Sequence, residues 1–128
     1  MPLKDVSSSA MVAVRDTDRA KSFYMGTLGL PLASEMGEVF TLQTGATQLC
    51  VYRSAFAGTN QANAVVWDAG DQVEAIAAGL KAQGVTLEEY PDGFESVEDG
   101  IHKSGEFRAI WFKDPDGNIL HVNGVAGG

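Results

Sequence analysis

The sequence predicts an α+β fold in which one strand–helix–strand unit is written twice. Three observations carry this expectation. A helix-capping aspartate, an amphipathic stretch and a Gly-apolar stop run from Asp16 to Leu30 and again from Asp71 to Val85. In each copy the aspartate lies 13 residues before the glycine, so the offset between copies is 55 throughout. An alternating apolar run precedes each aspartate, and two or three short strand-like runs follow each glycine. A duplicated sheet unit of this kind is expected to enclose one cleft, with the inner strand positions deciding its chemistry.

Residues 9–15 (SAMVAVR) alternate and read as the first strand. Asp16 or Thr17 then caps a helix that places Ala20, Phe23, Tyr24 and Leu28 on one face and stops at Gly29. Leu30 to Ala33, Val39 to Gln43 and Gln48 to Tyr52 follow as short strands, with turns at Met36–Gly37 and Thr44–Gly45. The stretch RSAFAGTNQAN is small and polar and reads as a linker. Ala64–Asp68 opens the second half as a strand. Asp71 with Glu74 has capping-box spacing, and Val73, Ile76, Ala77 and Leu80 form the buried stripe of a helix ended by Gly84. Val85 to Tyr90, Phe107 to Phe112 and Ile119 to Asn123 are the remaining strands, the last two joined by the strong turn Asp114-Pro-Asp-Gly-Asn118.

The halves differ by an insertion. Counted back from the last strand, Cys50 corresponds to His121 at an offset of 71, so the second copy carries 16 extra residues between Tyr90 and Glu106. This segment, PDGFESVEDGIHKSGE, is acidic and glycine-containing and reads as an exposed loop, a candidate lid.

Composition bounds the function. With 128 residues the chain suits one domain with a real core. Its 17 acidic against 9 basic residues, a net charge of −8, disfavour nucleic acid, whose binding rests on Lys and Arg neutralising phosphates. The acidic surface either is simply solvated or attracts a cationic ligand. No apolar run approaches the ~20 residues that span a bilayer, and the segment MPLKDVSSSA has no long apolar core, so no membrane partner is expected. A single cysteine, Cys50, excludes an intrachain disulfide framework and points to a reducing cytoplasmic location.

The run VRDTDRAKSFYMGTLGL, the later LKAQGV, the following EEY and WFKDPDGNIL together resemble the glyoxalase/bleomycin-resistance/extradiol-dioxygenase superfamily, also called vicinal oxygen chelate proteins, from about Ser9 to Asn123. The resemblance implies two tandem βαβββ modules, about 7–54 and 62–124, forming a half-open eight-stranded barrel with a central cleft in a single domain of residues 1–128. It implies a homodimer as well. Members include metal-dependent lyases, isomerases, epimerases, dioxygenases and thiol transferases, and also metal-free drug-binding proteins, so fold alone does not assign the activity. In metal-using relatives the ion sits on the first and last strand of each module. Carried over by the repeat, those positions fall on Ser9, Ala64, Cys50 and His121. Only His121 is a common ligand there, and Cys50 is a chemically reasonable second; a divalent ion bound through nitrogen and oxygen wants at least three. The expectation is therefore a protein without cofactor, unless His102 or Glu98 of the insertion supplies the missing metal ligand.

Strand phase places Met11, Gln48, Cys50, Tyr52, Ala64, Val66, Asp68, His121 and Asn123 on the inner face, together with Ser9, as ligand-binding candidates. His121 is either a general base and ligand donor or a histidine satisfied by a hydrogen bond inside the sheet. Cys50 is either a thiolate activated by His121 or a small buried hydrophobe. Asp68 either pairs with a cationic group or stands in solvent at a strand end, and Met11 supplies an adaptable apolar wall. Trp67 and Trp111 read as core. His102 and Lys103, near Arg108, either close over an anionic substrate or are solvated. The leading expectation is a metal-independent small-molecule-binding protein that sequesters a cationic or aromatic ligand. The alternative is a glyoxalase-like lyase or isomerase using His121.

Overall fold

The computed structural model describes residues 3–125, which contain ten strands and two α-helices in a mixed α+β arrangement. The first two and last three residues of the expected domain lie outside the described ones. The chain divides into two compact units, Met1–Ala57 and Gly58–Gly128.

In the first unit the elements follow as β1 (Ala10–Val14), α1 (Thr17–Lys21), β2 (Leu32–Met36), β3 (Val39–Thr44) and β4 (Thr47–Arg53), and the sheet order is β1-β4-β3-β2. β1 runs parallel to β4, which requires a crossover, and α1 with its continuation supplies it. Alternation sorts the sheet into two faces. Val12, Val14, Phe40, Leu42, Leu49 and Val51 are buried on one, each contributing about 1.5–3 kcal/mol on leaving water. Asp16 caps α1 as expected, its Oδ1 accepting the Asp18 and Arg19 N–H groups at 2.9 and 3.1 Å. The helix does not stay α-helical to Gly29. From Ser22 to Thr27 it widens to a π-helix, with the Leu28 N–H donating to the Phe23 carbonyl at 2.9 Å. Gly29 (φ +74°) still ends it. The next strand starts later than expected, at Leu32, and runs to Met36 as an exposed edge.

The second unit repeats the pattern with β5 (Asn63–Asp68), α2 (Val73–Ala82), β6 (Leu87–Glu88), β7 (Ser96–Glu98), β8 (Ile101–Ser104), β9 (Phe107–Lys113) and β10 (Ile119–Val125). The order is β5-β10-β9-β8-β7, with β6 also pairing β9. α2 lies against β9 and β10. Its capping box does not form. A 3₁₀ turn at Gly70–Gln72 begins the helix early, Asp71 accepts from its neighbour Gln72, and Glu74 pairs with Arg108 at 3.1 Å instead of returning to the cap. Gly84 (φ +83°) ends α2, and the Val85 N–H donates to the Leu80 carbonyl at 3.0 Å, a Schellman closure.

Backbone register agrees with the repeat. Met11 pairs with Cys50 in the first unit and Val66 with His121 in the second; likewise Ala13 with Tyr52 and Asp68 with Asn123. These partners are related by the offsets of 55 and 71 read from the sequence.

The 16-residue insertion is not an exposed loop. It folds as the β7–β8 hairpin and extends the sheet. Asp99 and Gly100 both have positive φ, 53° and 83°, which suits the tight turn between right-twisted strands. The strand expected over Val85 to Tyr90 shortens to Leu87–Glu88, because the Tyr90 N–H donates to the His102 imidazole instead of a neighbouring strand.

Gly124 in β10 is a close-approach position: a Cβ there would run into the backbone of Gly70. Gly79, exposed within α2, has open space where a Cβ would sit. Gly124→Ala is expected to destabilise by about 1–3 kcal/mol. Gly79→Ala is expected to stabilise by up to about 1 kcal/mol through helix propensity. Urea unfolding of the two variants beside the parent protein reads both signs.

Candidate functional site

The candidate residues fall on one sheet face in each unit. In the first, Met11, Cys50 and Tyr52 occupy the face opposite the buried aliphatic layer; Met11 is 58% exposed, and Cys50 and Tyr52 are half-buried. Gln48 is exposed on the same strand, and Ser9 is exposed just before β1. In the second unit Val66 lies beside His121 and Asp68 beside Asn123, with half-buried Ala64 at the start of the same strand. Asp68 Oδ1 accepts the Gly70 N–H at 3.3 Å, so this exposed acid also serves the turn into α2. Cys50 belongs to the first unit and His121 to the second.

His121 is buried, at 7% exposure, between buried Leu120 and Val122 on β10. Its ring has a defined proton arrangement. Nδ1 lies 3.0 Å from the Ile110 carbonyl, which only accepts, so Nδ1 carries the hydrogen and donates. Nε2 then bears the lone pair, and the Asn123 side-chain amide donates to it at 3.0 Å. Burial pushes the imidazole pKa below its ordinary value; the Ile110 carbonyl pulls it partly back, and the electrostatic effect of nearby His102 lowers it slightly further. His121 is thus a neutral ring with both nitrogens engaged.

Trp111, read from the sequence as core, is part of this face and only half-buried. It pairs with His121 across β9 and β10, and the two rings stack at 4.3 Å between centroids with 17° between planes. The indole N–H donates to Asn63 Oδ1 at 3.0 Å, which fixes the far end of the ring. Tyr90 and Phe94 contact Trp111 edge-on at 5.4 and 5.8 Å. Tyr90 remains 41% exposed and Val66 58% exposed, so the face is an open apolar surface with the exposed acid Asp68 on the same strand as Val66. Trp111, Tyr90 and Phe94 were not among the sequence candidates; the alternation Ala109-Trp111-Lys113 against His121 carries the signal for Trp111.

His102 departs furthest from expectation. A histidine in an exposed loop would be solvated or clamp a substrate, yet His102 is 0% exposed. Lys103 instead pairs with Glu98 at 3.2 Å, and Arg108 with Glu74, so neither is poised over a substrate.

The metal positions carried over from the superfamily can be tested against these neighbours. Ala64 has no donor atom, Ser9 offers a hydroxyl, and His121 Nε2 faces the Asn123 amide. Of the two possible rescuers in the insertion, His102 has both nitrogens occupied by protein groups and Glu98 pairs with Lys103. Among the described residues no three of His, Cys, Asp and Glu are grouped so as to hold a metal ion. In the second unit, then, the carried-over positions supply His121 alone as a nitrogen ligand.

Comparison with known proteins agrees with the geometry of the fold. Residues 7–122 match the family described as the Glyoxalase/Bleomycin resistance protein/Dioxygenase superfamily. A glyoxalase/bleomycin resistance protein/dioxygenase from Alicyclobacillus acidocaldarius superposes with a TM-score of 0.70 at 18% identity, covering 98% of this chain and 95% of that one. Lactoylglutathione lyase from Agrobacterium tumefaciens gives 0.70 at 16%, covering 93% and 92%. The fosfomycin resistance protein FosX from Listeria monocytogenes, complexed with Mn(II) and sulfate, gives 0.70 at 15%, covering 94% and 90%. At these identities the likeness speaks for the fold alone.

The lowered pKa of His121 has a signed consequence. The unfolded chain takes up the proton first as pH falls below the ordinary imidazole value of about 6.5. The stability His121 contributes is fully present above that value and is lost as pH falls toward the lower folded-state value. The urea midpoint should therefore drop between pH 7.5 and 5. The part of that drop due to His121 should vanish in His121→Gln.

Proposed function

We propose that this chain, which belongs to the Glyoxalase/Bleomycin resistance protein/Dioxygenase superfamily, is a metal-independent small-molecule-binding protein. Its ligand is an aromatic or cationic molecule that lies on the sheet face of the second unit, against Trp111, Tyr90, Val66 and His121, with Asp68 and Asn123 as polar anchors. One observation carries this reading: His121 is neutral and engaged at both nitrogens while stacked on Trp111. It is arranged as part of an aromatic wall with one hydrogen-bonding edge. A site of this kind takes an apolar ring and fixes its orientation with few polar contacts. The net charge of −8 favours a cation over an anion. The reading also includes a cytoplasmic homodimer that engages neither nucleic acid nor membrane; no helix among the described residues is long and apolar enough to cross a bilayer.

A second reading has its own observation. The neutral ring with a lone pair on Nε2 is the form a general base needs. In a glyoxalase-like lyase or isomerase, His121 Nε2 would take a proton beside a carbonyl after the substrate displaces the Asn123 amide. An electrophile for the developing enolate is not supplied by the residues around it, which ranks this reading second. Cys50 has no assigned step in it.

Thermal unfolding of chelator-treated protein tests the first reading. Zn²⁺, Ni²⁺, Mn²⁺ and Fe²⁺ should leave the midpoint unchanged, whereas a metal at a hundred times its Kd would add about 2.7 kcal/mol. Aromatic amines should raise the midpoint, and Val66→Arg should weaken their binding at least tenfold with little loss of stability, because Val66 is 58% exposed. Stabilisation by a metal that is lost in His121→Ala would overturn the reading. Turnover lost in His121→Gln with binding retained would promote the second.

A further inference from the structure

The insertion holds a buried histidine that the proposed function does not use. His102 on β8 ties together three separate parts of the chain. Its Nε2 accepts the Tyr90 backbone N–H at 2.8 Å, so the lone pair sits there and Nδ1 carries the hydrogen. Nδ1–H donates toward the Gly100 carbonyl at 3.0 Å and the Ala109 carbonyl at 3.2 Å. The ring therefore joins the chain leaving β6, the hairpin turn and strand β9. Glu89 Oε2 adds a second tie by accepting the Gly100 N–H at 3.2 Å.

Between these ties the chain turns through Pro91 to Phe94, and the Glu95 N–H rejoins β8 at the Lys103 carbonyl, 2.9 Å away. Rings pack around the imidazole. Trp111 meets it edge-on at 4.7 Å and Phe94 at 5.0 Å, while Tyr90 lies over it at 6.4 Å. The same Tyr90 and Phe94 rings contact Trp111, which stacks on His121. Displacing Tyr90 from His102 would leave a buried ring nitrogen without its donor and remove one side of the Trp111 packing.

We infer that His102 is the positioning residue of the binding face: as the Nδ1–H tautomer it pins residues 89–95 to the sheet, so that Tyr90 and Phe94 form a fixed wall beside Trp111 and not a lid. This rests on the reading that this face takes the ligand, but the pin itself is observable without any ligand. Its chemistry needs an acceptor at the Nε2 position, which separates it from simple space-filling by an aromatic ring.

The experiment uses the full, ligand-free, ¹⁵N-labelled chain. A long-range ¹H–¹⁵N spectrum near pH 7.5 is expected to show His102 with Nδ1 protonated and Nε2 bare. His102→Phe keeps the aromatic volume and removes the acceptor; the Tyr90 amide should then exchange with solvent on the order of three- to tenfold faster. Acrylamide quenching of Trp111, read in a Trp67→Phe background, should rise with it. His102→Gln returns a carbonyl acceptor and should restore both signals. Unchanged Tyr90 exchange in His102→Phe would overturn the inference. If that variant does not fold, the parent spectrum decides, and a protonated Nε2 overturns it. Failure of benzyltrimethylammonium, the binding probe, to shift Trp111 in the parent protein would count against the proposed function and leave the ligand-free signals of the pin as they stand.

Discussion

A buried imidazole must satisfy two nitrogens of opposite hydrogen-bonding character, and that constraint organises the second unit. His121 meets it by donating from Nδ1 to the Ile110 carbonyl and accepting at Nε2 from Asn123. The solution fixes the tautomer, orients the ring plane and lays it flat on Trp111. Strand β8 repeats the solution at His102, with the Ala109 carbonyl on one side and the Tyr90 N–H on the other. Two hydrogen-bonded histidines on the strands flanking β9 thus hold Trp111 between them, one face-on and one edge-on. An unpaired polar atom in such a place costs about 1–3 kcal/mol, so each hydrogen bond specifies the arrangement more strongly than its net energy suggests.

The same constraint shapes the functional reading. A histidine that ligates a metal also donates its second N–H to a carbonyl, so His121 alone would suit that role. Its neighbours do not extend that role. Nothing at Ala64 can donate, and the histidine of the insertion is committed to holding backbone. An aromatic wall with one hydrogen-bonding edge is what those substitutions leave. The proposed binding role rests on that wall.

Much of the fold was legible because it rests on short-range rules applied twice. The offsets of 55 and 71 match Met11 to Val66 and Cys50 to His121, and the strand registers pair Met11 with Cys50 and Val66 with His121, so the same pairing occurs in both units. Asp16, Gly29 and Gly84 act as read, since a cap and a positive φ depend on local chain chemistry. The insertion was not legible for a physical reason. Its acids are exposed, and only Glu98 among them lies in a strand, so composition resembles a solvated loop although Val97 is half-buried and His102 buried on the paired strands. The signal lay in Asp99-Gly100 flanked by alternating Ser96-Val97-Glu98 and Ile101-His102-Lys103, a two-residue hairpin pattern. His102 followed it out of solvent. The capping box at Asp71 failed for the opposite reason, because tertiary pairing of Glu74 with Arg108 outweighs a local preference.

The central claim is that His121 belongs to an aromatic wall and not to a metal centre. Paramagnetic broadening tests it most directly: Mn²⁺ is added to the ¹⁵N-labelled chain while the His121 ring and the Trp111 indole signals are followed. The account predicts that both stay sharp at stoichiometric Mn²⁺, with only weak, scattered broadening at exposed acids. Selective loss of the His121 and Trp111 signals at low Mn²⁺ would place a metal beside Nε2 and contradict it.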